Sequence, residues 1–193
     1  MDSAQLGLTF TGTVPPVPCS ASADVCSAAA SLQCTGTGYT CTLQCGGSGN
    51  CEIVASFDTS TSINISEEVT NETAASNLDK VTVQAVQYQV SENSFNFATP
   101  GMDIYVGPNT AAAIGDSGVT LLASIPAIAA GARPDATMNT TSSGQAKLEE
   151  LAKNYKTPFK IFARATATYA SGDPVPTGRM TISIRAGFKI TPL

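Results

Sequence analysis

Six cysteines carry the most reactive side chains of this chain: Cys19, Cys26, Cys34, Cys41, Cys45 and Cys51, with no thiol in residues 52–193. Thiols at such spacing could bind a metal, run redox exchange or form covalent staples. Metal and iron–sulfur sites favour Cys-x₂-Cys knuckles, whereas the steps here are seven, eight, seven, four and six residues. Staples are the expectation, and with them an oxidising compartment outside the cytosol. The flanking residues suggest a pairing. Tyr39–Cys45 alternates as a strand, in which Cys41 and Cys45 would sit about 13 Å apart at ~3.3 Å per residue. A disulfide needs Cα atoms within about 7 Å. A turn at Thr37-Gly38 would set Cys34 opposite Cys41, and a short loop at 47–49 would set Cys45 opposite Cys51. Cys19–Cys26 then completes a nearest-neighbour scheme, one of many open to six cysteines.

Other chemistry is sparse. The chain has no histidine, which removes the commonest general base, the commonest transition-metal ligand and any Ser-His-Asp or Cys-His arrangement. No Ser-x-x-Lys, Walker loop, Rossmann glycine pattern or EF-hand loop occurs. A glycosidase needs two carboxylates facing a cleft, but Glu67/Glu68 and Glu149/Glu150 are adjacent pairs whose members point apart. A carboxylate-dependent hydrolase is therefore only a third reading. Calcium needs oxygen ligands alone, and Asp58, Glu67, Glu68, Asp116 and Asp173 sit in loops or at strand ends, yet no spaced Asp/Asn/Gly loop joins them. No cofactor is expected. Asn64, Asn71 and Asn139 open Asn-x-Ser/Thr triplets, and five tyrosines, Tyr39, Tyr88, Tyr105, Tyr155 and Tyr169, mostly fit alternating core positions. The absence of tryptophan weakens a sugar-stacking platform.

Alternation supplies the elements that must position these groups. Glu52–Phe57 and Thr61–Ile65 read as short strands, and Ser66–Asp79 as an acidic loop or helix. Lys80–Val90 is a strong strand whose apolar phase changes from Val81 and Val83 to Val86, Tyr88 and Val90, the mark of a β-bulge near Ala85. Ser94–Ala98, Met102–Val106 and Val119–Ile125 follow as strands. A helix capped by Ser142 or Ser143 should run to about Tyr155 with Leu148, Leu151, Ala152 and Tyr155 on its apolar face. Phe159–Tyr169 and Arg179–Ile190 alternate cleanly around the turn at Gly172–Gly178 and are expected to form a hairpin. The fold class is all-β: an antiparallel β-sandwich, Ig-like or jelly-roll-like, with one short helix and a disulfide-stapled N-terminal region. Residues 1–57 read as an extended arm and cysteine-rich meander, and 58–193 as the sandwich core, together one continuous domain.

Composition narrows the role. Charged residues are 13% of 193 and the net charge is −5, which disfavours nucleic acid and polybasic membrane contact. No apolar run reaches the roughly 20 residues of a bilayer span. MDSAQLGLTF lacks the features of a signal peptide, so the chain is expected to be a mature form whose leader was removed. The order Val81–Val90, Met102–Pro108, then Pro174-Val-Pro-Thr-Gly178 before a final strand resembles uncharacterised secreted or lipoprotein-like β-sandwich proteins of bacterial envelopes, over residues 80–193. That resemblance implies an envelope location and assigns no functional residue. The leading expectation is a non-enzymatic extracellular or cell-surface protein, structural or adhesive. In one version it self-assembles by strand exchange through Gln5–Thr13, where Leu6, Leu8 and Phe10 alternate ahead of the stiff Val14-Pro-Pro-Val-Pro18 spacer. The alternative is an extracellular ligand-binding module for a glycan or another extracellular molecule, calcium-assisted or not. The sulfur chemistry is directly checkable. The unreduced chain from its native compartment should lack all six thiol hydrogens by intact mass, and six titratable thiols or a bound zinc or iron would overturn the compartment assignment.

Overall fold

A computed structural model describes residues 39–45, 51–65, 78–169 and 179–192. Eight strands and one helix are present among the described residues: β1 (Tyr39–Cys45), β2 (Cys51–Ile63), β3 (Leu78–Asn93), β4 (Met102–Pro108), β5 (Thr120–Ile125), β6 (Asp135–Thr137), α1 (Ser142–Lys153), β7 (Phe159–Tyr169) and β8 (Met180–Pro192). All pairings are antiparallel. One sheet has the order β1-β2-β7-β4-β5 and the other β6-β3-β8. Their facing side chains form one apolar core, so the described chain is a β-sandwich. The backbone register sets Cys45 opposite Cys51 and Cys41 opposite Ala55. Cys19, Cys26 and Cys34, and with them the other two expected pairs, lie outside the described residues, as do Glu67, Glu68, Asn71 and Asp173.

The core follows alternation closely. Ile104 and Val106 of β4, Leu122 and Ile125 of β5, Val86 of β3 and Ile182 of β8 are almost wholly buried. Burial of each such side chain stabilises by about 1.5–3 kcal/mol. On β7 the inward positions are small, Ala163, Ala165 and Ala167, between the larger Phe159 and Ile161 at the strand's start and Tyr169 at its end. In β3 the register against β8 shifts between Val83 and Ala85. One extra residue there keeps Val81 and Val83 on the same buried face as Val86, Tyr88 and Val90. The phase change in the sequence is this bulge.

Several expectations are corrected. The segments 52–57 and 61–65 are not separate strands, because β2 runs unbroken from Cys51 to Ile63 against the full length of β7. Ser94–Ala98 leaves the sheet as a bend, although Phe95 is buried and packs against Phe97 in a tilted pair with ring centres 4.8 Å apart. The largest correction concerns β7 and β8. They do not form a hairpin: β7 lies between β2 and β4, and β8 pairs with β3 in the opposite sheet. Two-residue periodicity specifies a buried face and not a neighbour, so both strands satisfy their pattern across the core from one another.

Helix α1 covers a strand edge. Beside β3, β6 pairs only with Gln87–Gln89. Pairing is extended by Val90 N–H to the Pro134 carbonyl at 2.9 Å and Met138 N–H to the Val86 carbonyl at 2.8 Å. Further along, the Val83 N–H donates to Glu149 Oε1 at 2.9 Å. Glu149 thus satisfies an edge donor that would otherwise invite another strand, while Glu150 is exposed beside Lys147. The N-cap is Thr141, one residue before the expected serines. Its backbone is extended, and its hydroxyl accepts from Gly144 N–H at 3.0 Å while donating to the Leu121 carbonyl. The helix ends at Lys153 with Asn154 as C-cap, so Tyr155 is buried just beyond it.

A second polar anchor holds the segment after β5. Buried Asn93 donates through Nδ2 to the Ala129 and Ala132 carbonyls at 3.1 and 2.9 Å and accepts from Phe95 N–H. Thr99 accepts from Ile128 N–H at 3.2 Å.

Gly144 decides how closely α1 seats on β5. A Cβ there would meet Leu122 Cα at 2.5 Å and Thr141 Oγ1 at 2.8 Å. Gly→Ala inside a helix normally gains about 0.5–1 kcal/mol, but overpacking costs about 1–3 kcal/mol. Gly144→Ala should therefore lower the melting temperature by several degrees, with equal or higher stability counting against this docking.

Candidate functional site

The outer face of the five-stranded sheet carries the chemistry-bearing side chains. β2 turns Ser56, Asp58, Ser60 and Ser62 outward, and β7 answers with Thr166, Arg164, Phe162 and Lys160 at the paired register positions. On the other side of β7, Arg164 lies opposite Asp103 and Phe162 opposite Tyr105. Arg164 grips Asp58 with two hydrogen bonds of 2.7 Å, Nε to Oδ1 and Nη2 to Oδ2. Asp103 accepts from the Ser124 hydroxyl at 2.6 Å. One polar rung, Asp58–Arg164–Asp103–Ser124, thereby crosses four strands. Asp58 holds the Arg164 guanidinium above its ordinary pKa, chiefly through that hydrogen bond, and the nearby charges of Asp58 and Asp103 add to it. Both partners are about half exposed, so the pair adds about 1 kcal/mol at most. Its contribution is orientation.

The β4–β5 connection folds over this face. Asp116 Oδ2 accepts from Ala112 N–H at 2.7 Å and Ala113 N–H at 3.0 Å, and these amides hold its carboxyl below the ordinary aspartate pKa. Lys160 Nζ donates to the Ala111 carbonyl at 2.7 Å, and the Ser62 hydroxyl donates to Asn109 Oδ1 at 2.8 Å. The loop so pinned buries Phe162, an outward-facing aromatic only 2% exposed. Between loop and β2 lies a cleft of 170 Å³ lined by Asp58, Thr59, Ser60, Ala112, Ala113, Ile114 and Phe162. A crevice between the sheets, lined by Ile63, Ile161, Ile184 and Phe188 among others, measures 30 Å³.

The residues singled out by sequence fare differently. Asp58 and Asp116 are each engaged as described, one by a guanidinium and one by backbone amides. Among the described residues no group of three or more Cys, Asp or Glu is placed to hold a metal ion. Glu149 serves the β3 edge and Glu150 an ion pair with Lys147. Tyr88 and Tyr155 are core, Tyr105 lies half-exposed on the outer face, and Asn139 is exposed after β6. Sequence reasoning missed Arg164, Phe162, Asp103 and Ser124. One signal was available, since Phe162 stands on the wet phase of β7 among Lys160, Arg164, Thr166 and Thr168. A large aromatic there needs a cover, and nothing local shows which loop provides it.

No protein-family model matches the chain, and no curated protein matches it. Among solved structures it is similar to one described as the structural basis for the promiscuous specificity of carbohydrate-binding modules from the β-sandwich superfamily. The TM-score is 0.33 at 12% identity, over 97% of this chain and 56% of that one. So distant a likeness carries no conclusion about ligand or role. Among the described residues no helix is long and apolar enough to cross a membrane.

Tyr169, at the end of β7, is an exception to polar satisfaction. Its ring meets Phe97 edge-on at 5.9 Å, and its buried hydroxyl has no hydrogen-bond partner among the described residues. Burial pushes its pKa up to about 12 from 10.0. The neutral phenol is the favoured form, so its contribution is complete below the unfolded value near 10 and is lost as pH rises towards 12. Removing an unpaired buried hydroxyl relieves desolvation. Tyr169→Phe should leave stability at pH 7 unchanged or raise it by less than about 1 kcal/mol, and a clear loss in urea melts would show a partner for that hydroxyl.

Proposed function

We propose that this chain is a non-enzymatic protein of the cell surface or extracellular space, structural or adhesive, that joins neighbouring copies by strand exchange. The observation that carries the reading is an imbalance: five strands face three, and β8 is the outer strand of the smaller sheet. Over Met180–Pro192 it pairs with β3 alone among the described residues. The opposite side of that sheet is covered by β6 and Glu149 of α1. Strand addition needs such an edge, with main-chain hydrogen bonds for affinity and pockets for alternate side chains.

The proposed occupant is Gln5–Thr13 of a second copy. Nine residues reach about 30 Å, within the 13-residue length of β8. Leu6, Leu8 and Phe10 fall on one face of such a strand. Along β8 the inward-facing Ala186 and Phe188 remain half-buried beside the apolar crevice that reaches Ile63, Ile65 and Phe159, which supports an apolar partner there. Arg185 and Lys189, exposed on the outer face of β8, oppose indiscriminate pairing. An extracellular setting agrees with the cysteine content, and the resemblance to envelope β-sandwich proteins points the same way.

The polar outer face favours a second reading, a ligand-binding module, because its cleft is the largest space described above. Light scattering after size exclusion, with electron microscopy, separates the two. The full chain should form a concentration-dependent series of oligomers or filaments, lost in Leu8→Glu and Phe10→Glu while their circular dichroism is unchanged. A strictly monomeric particle at high concentration removes strand exchange.

A further inference from the structure

We propose that the cleft between β2 and the loop over residues 109–118 binds a neutral polyhydroxylated ring, one pyranose unit of a glycan. The inference rests on the ligand-binding reading of the outer face and is independent of β8. The size is the first constraint. At 170 Å³ the cleft admits one small ring and falls short of the roughly 300–1,000 Å³ that encloses a drug-sized ligand.

The walls give the chemistry. Ala112, Ala113 and Ile114 form an apolar wall, and Asp58 and Ser60 a polar one. A pyranose has the matching duality, with C–H groups on its ring faces and hydroxyls around its edge. A hydroxyl both donates and accepts; Asp58 and Ser60, which line the cleft, offer a carboxylate acceptor and a hydroxyl, and the Arg164 guanidinium lies beside Asp58 on the same outer face. An ionised carboxylate has about four lone-pair positions and a guanidinium five N–H donors. Their mutual grip uses two of each.

Charge excludes the competing ligand classes. A cation on the remaining Asp58 lone pairs would be repelled by the Arg164 guanidinium, which is bound to the same carboxylate twice at 2.7 Å. An anion approaching Arg164 would meet Asp58 on one side and Asp103 at the register position on the other. A neutral ligand meets neither penalty. The apolar wall is held in place before binding by Asp116, by Lys160 on the Ala111 carbonyl and by Ser62 on Asn109. A wall already ordered loses little entropy on binding.

The test is an amide-shift titration of the full ¹⁵N-labelled chain with methyl glucoside, methyl galactoside and methyl mannoside, and with calcium chloride and sodium acetate as charged controls. At least one glycoside should give saturable millimolar shifts centred on Ser60 and Ala112–Ile114, with the controls silent there. Ala113→Leu, at an exposed position, should fill the cleft and weaken binding by about tenfold or more, and Ser60→Ala should weaken it without altering the spectrum elsewhere. Silence with all three glycosides overturns the proposal, as do saturation by calcium or acetate, shifts centred elsewhere, or undiminished affinity in both variants. If oligomers form while no glycoside binds, the glycan site fails and strand exchange stands; glycoside binding by a monomer has the reverse meaning.

Discussion

The register of β7 is the constraint on which both faces of this protein depend. Eleven positions pair with β2 and seven with β4, so each residue from Phe159 to Ala165 has a defined neighbour on either side. Inward, that register buries Ala163, Ala165 and Ala167, and the first two share the core cluster with Ile182 and Ile184 of the opposing sheet. Outward, it brings Arg164 between Asp58 and Asp103 and puts Phe162 under the β4–β5 loop. A slip of one residue would exchange the two faces, burying the guanidinium and exposing the core. The cost of burying an unpaired charge makes that alternative inaccessible.

Polar groups then lock what the hydrophobic pattern leaves free. Glu149 reaches a β3 amide, Asn93 gathers two carbonyls after β5, and Thr141 ties the helix start to β5. Each satisfies backbone groups that irregular segments would otherwise leave unpaired at considerable expense. Among the described residues the outcome is a sandwich closed by a helix on one side of the smaller sheet and open along β8 on the other. Closure and openness have different physical origins. The closed side has partners for its edge donors, whereas β8 pairs with β3 alone among the described residues.

The two proposed activities use separate surfaces for the same reason. Edge addition draws on main-chain groups and is indifferent to most side chains, so it suits a strand with plain alternation such as β8. Ligand recognition needs fixed side chains of several kinds, and the outer face of β2 and β7 supplies a carboxylate, a guanidinium and a hydroxyl beside an apolar wall. The crevice between the sheets serves neither, because at 30 Å³ it is too small for a ligand ring.

How much could be read without the fold varies by physical cause. Strand positions in β3, β4, β5, β7 and β8 were legible, and the faces of all but β5, since period-two burial is a local property of an extended chain, and the bulge near Ala85 was visible as a change of phase. The helix was legible to within a residue or two at its ends, because capping depends on which hydroxyl the surrounding strand can also use, here Thr141. What the sequence by itself determined is which side of each strand faces the core. Which strands lie together was decided only by tertiary structure: the alternation of β8 is the same whether β7 or β3 lies alongside, and the choice rests on contacts between residues about a hundred positions apart. The Asp58–Arg164–Asp103 rung belongs to that second category. Its members come from three strands scattered along the chain, and only sheet pairing makes them neighbours.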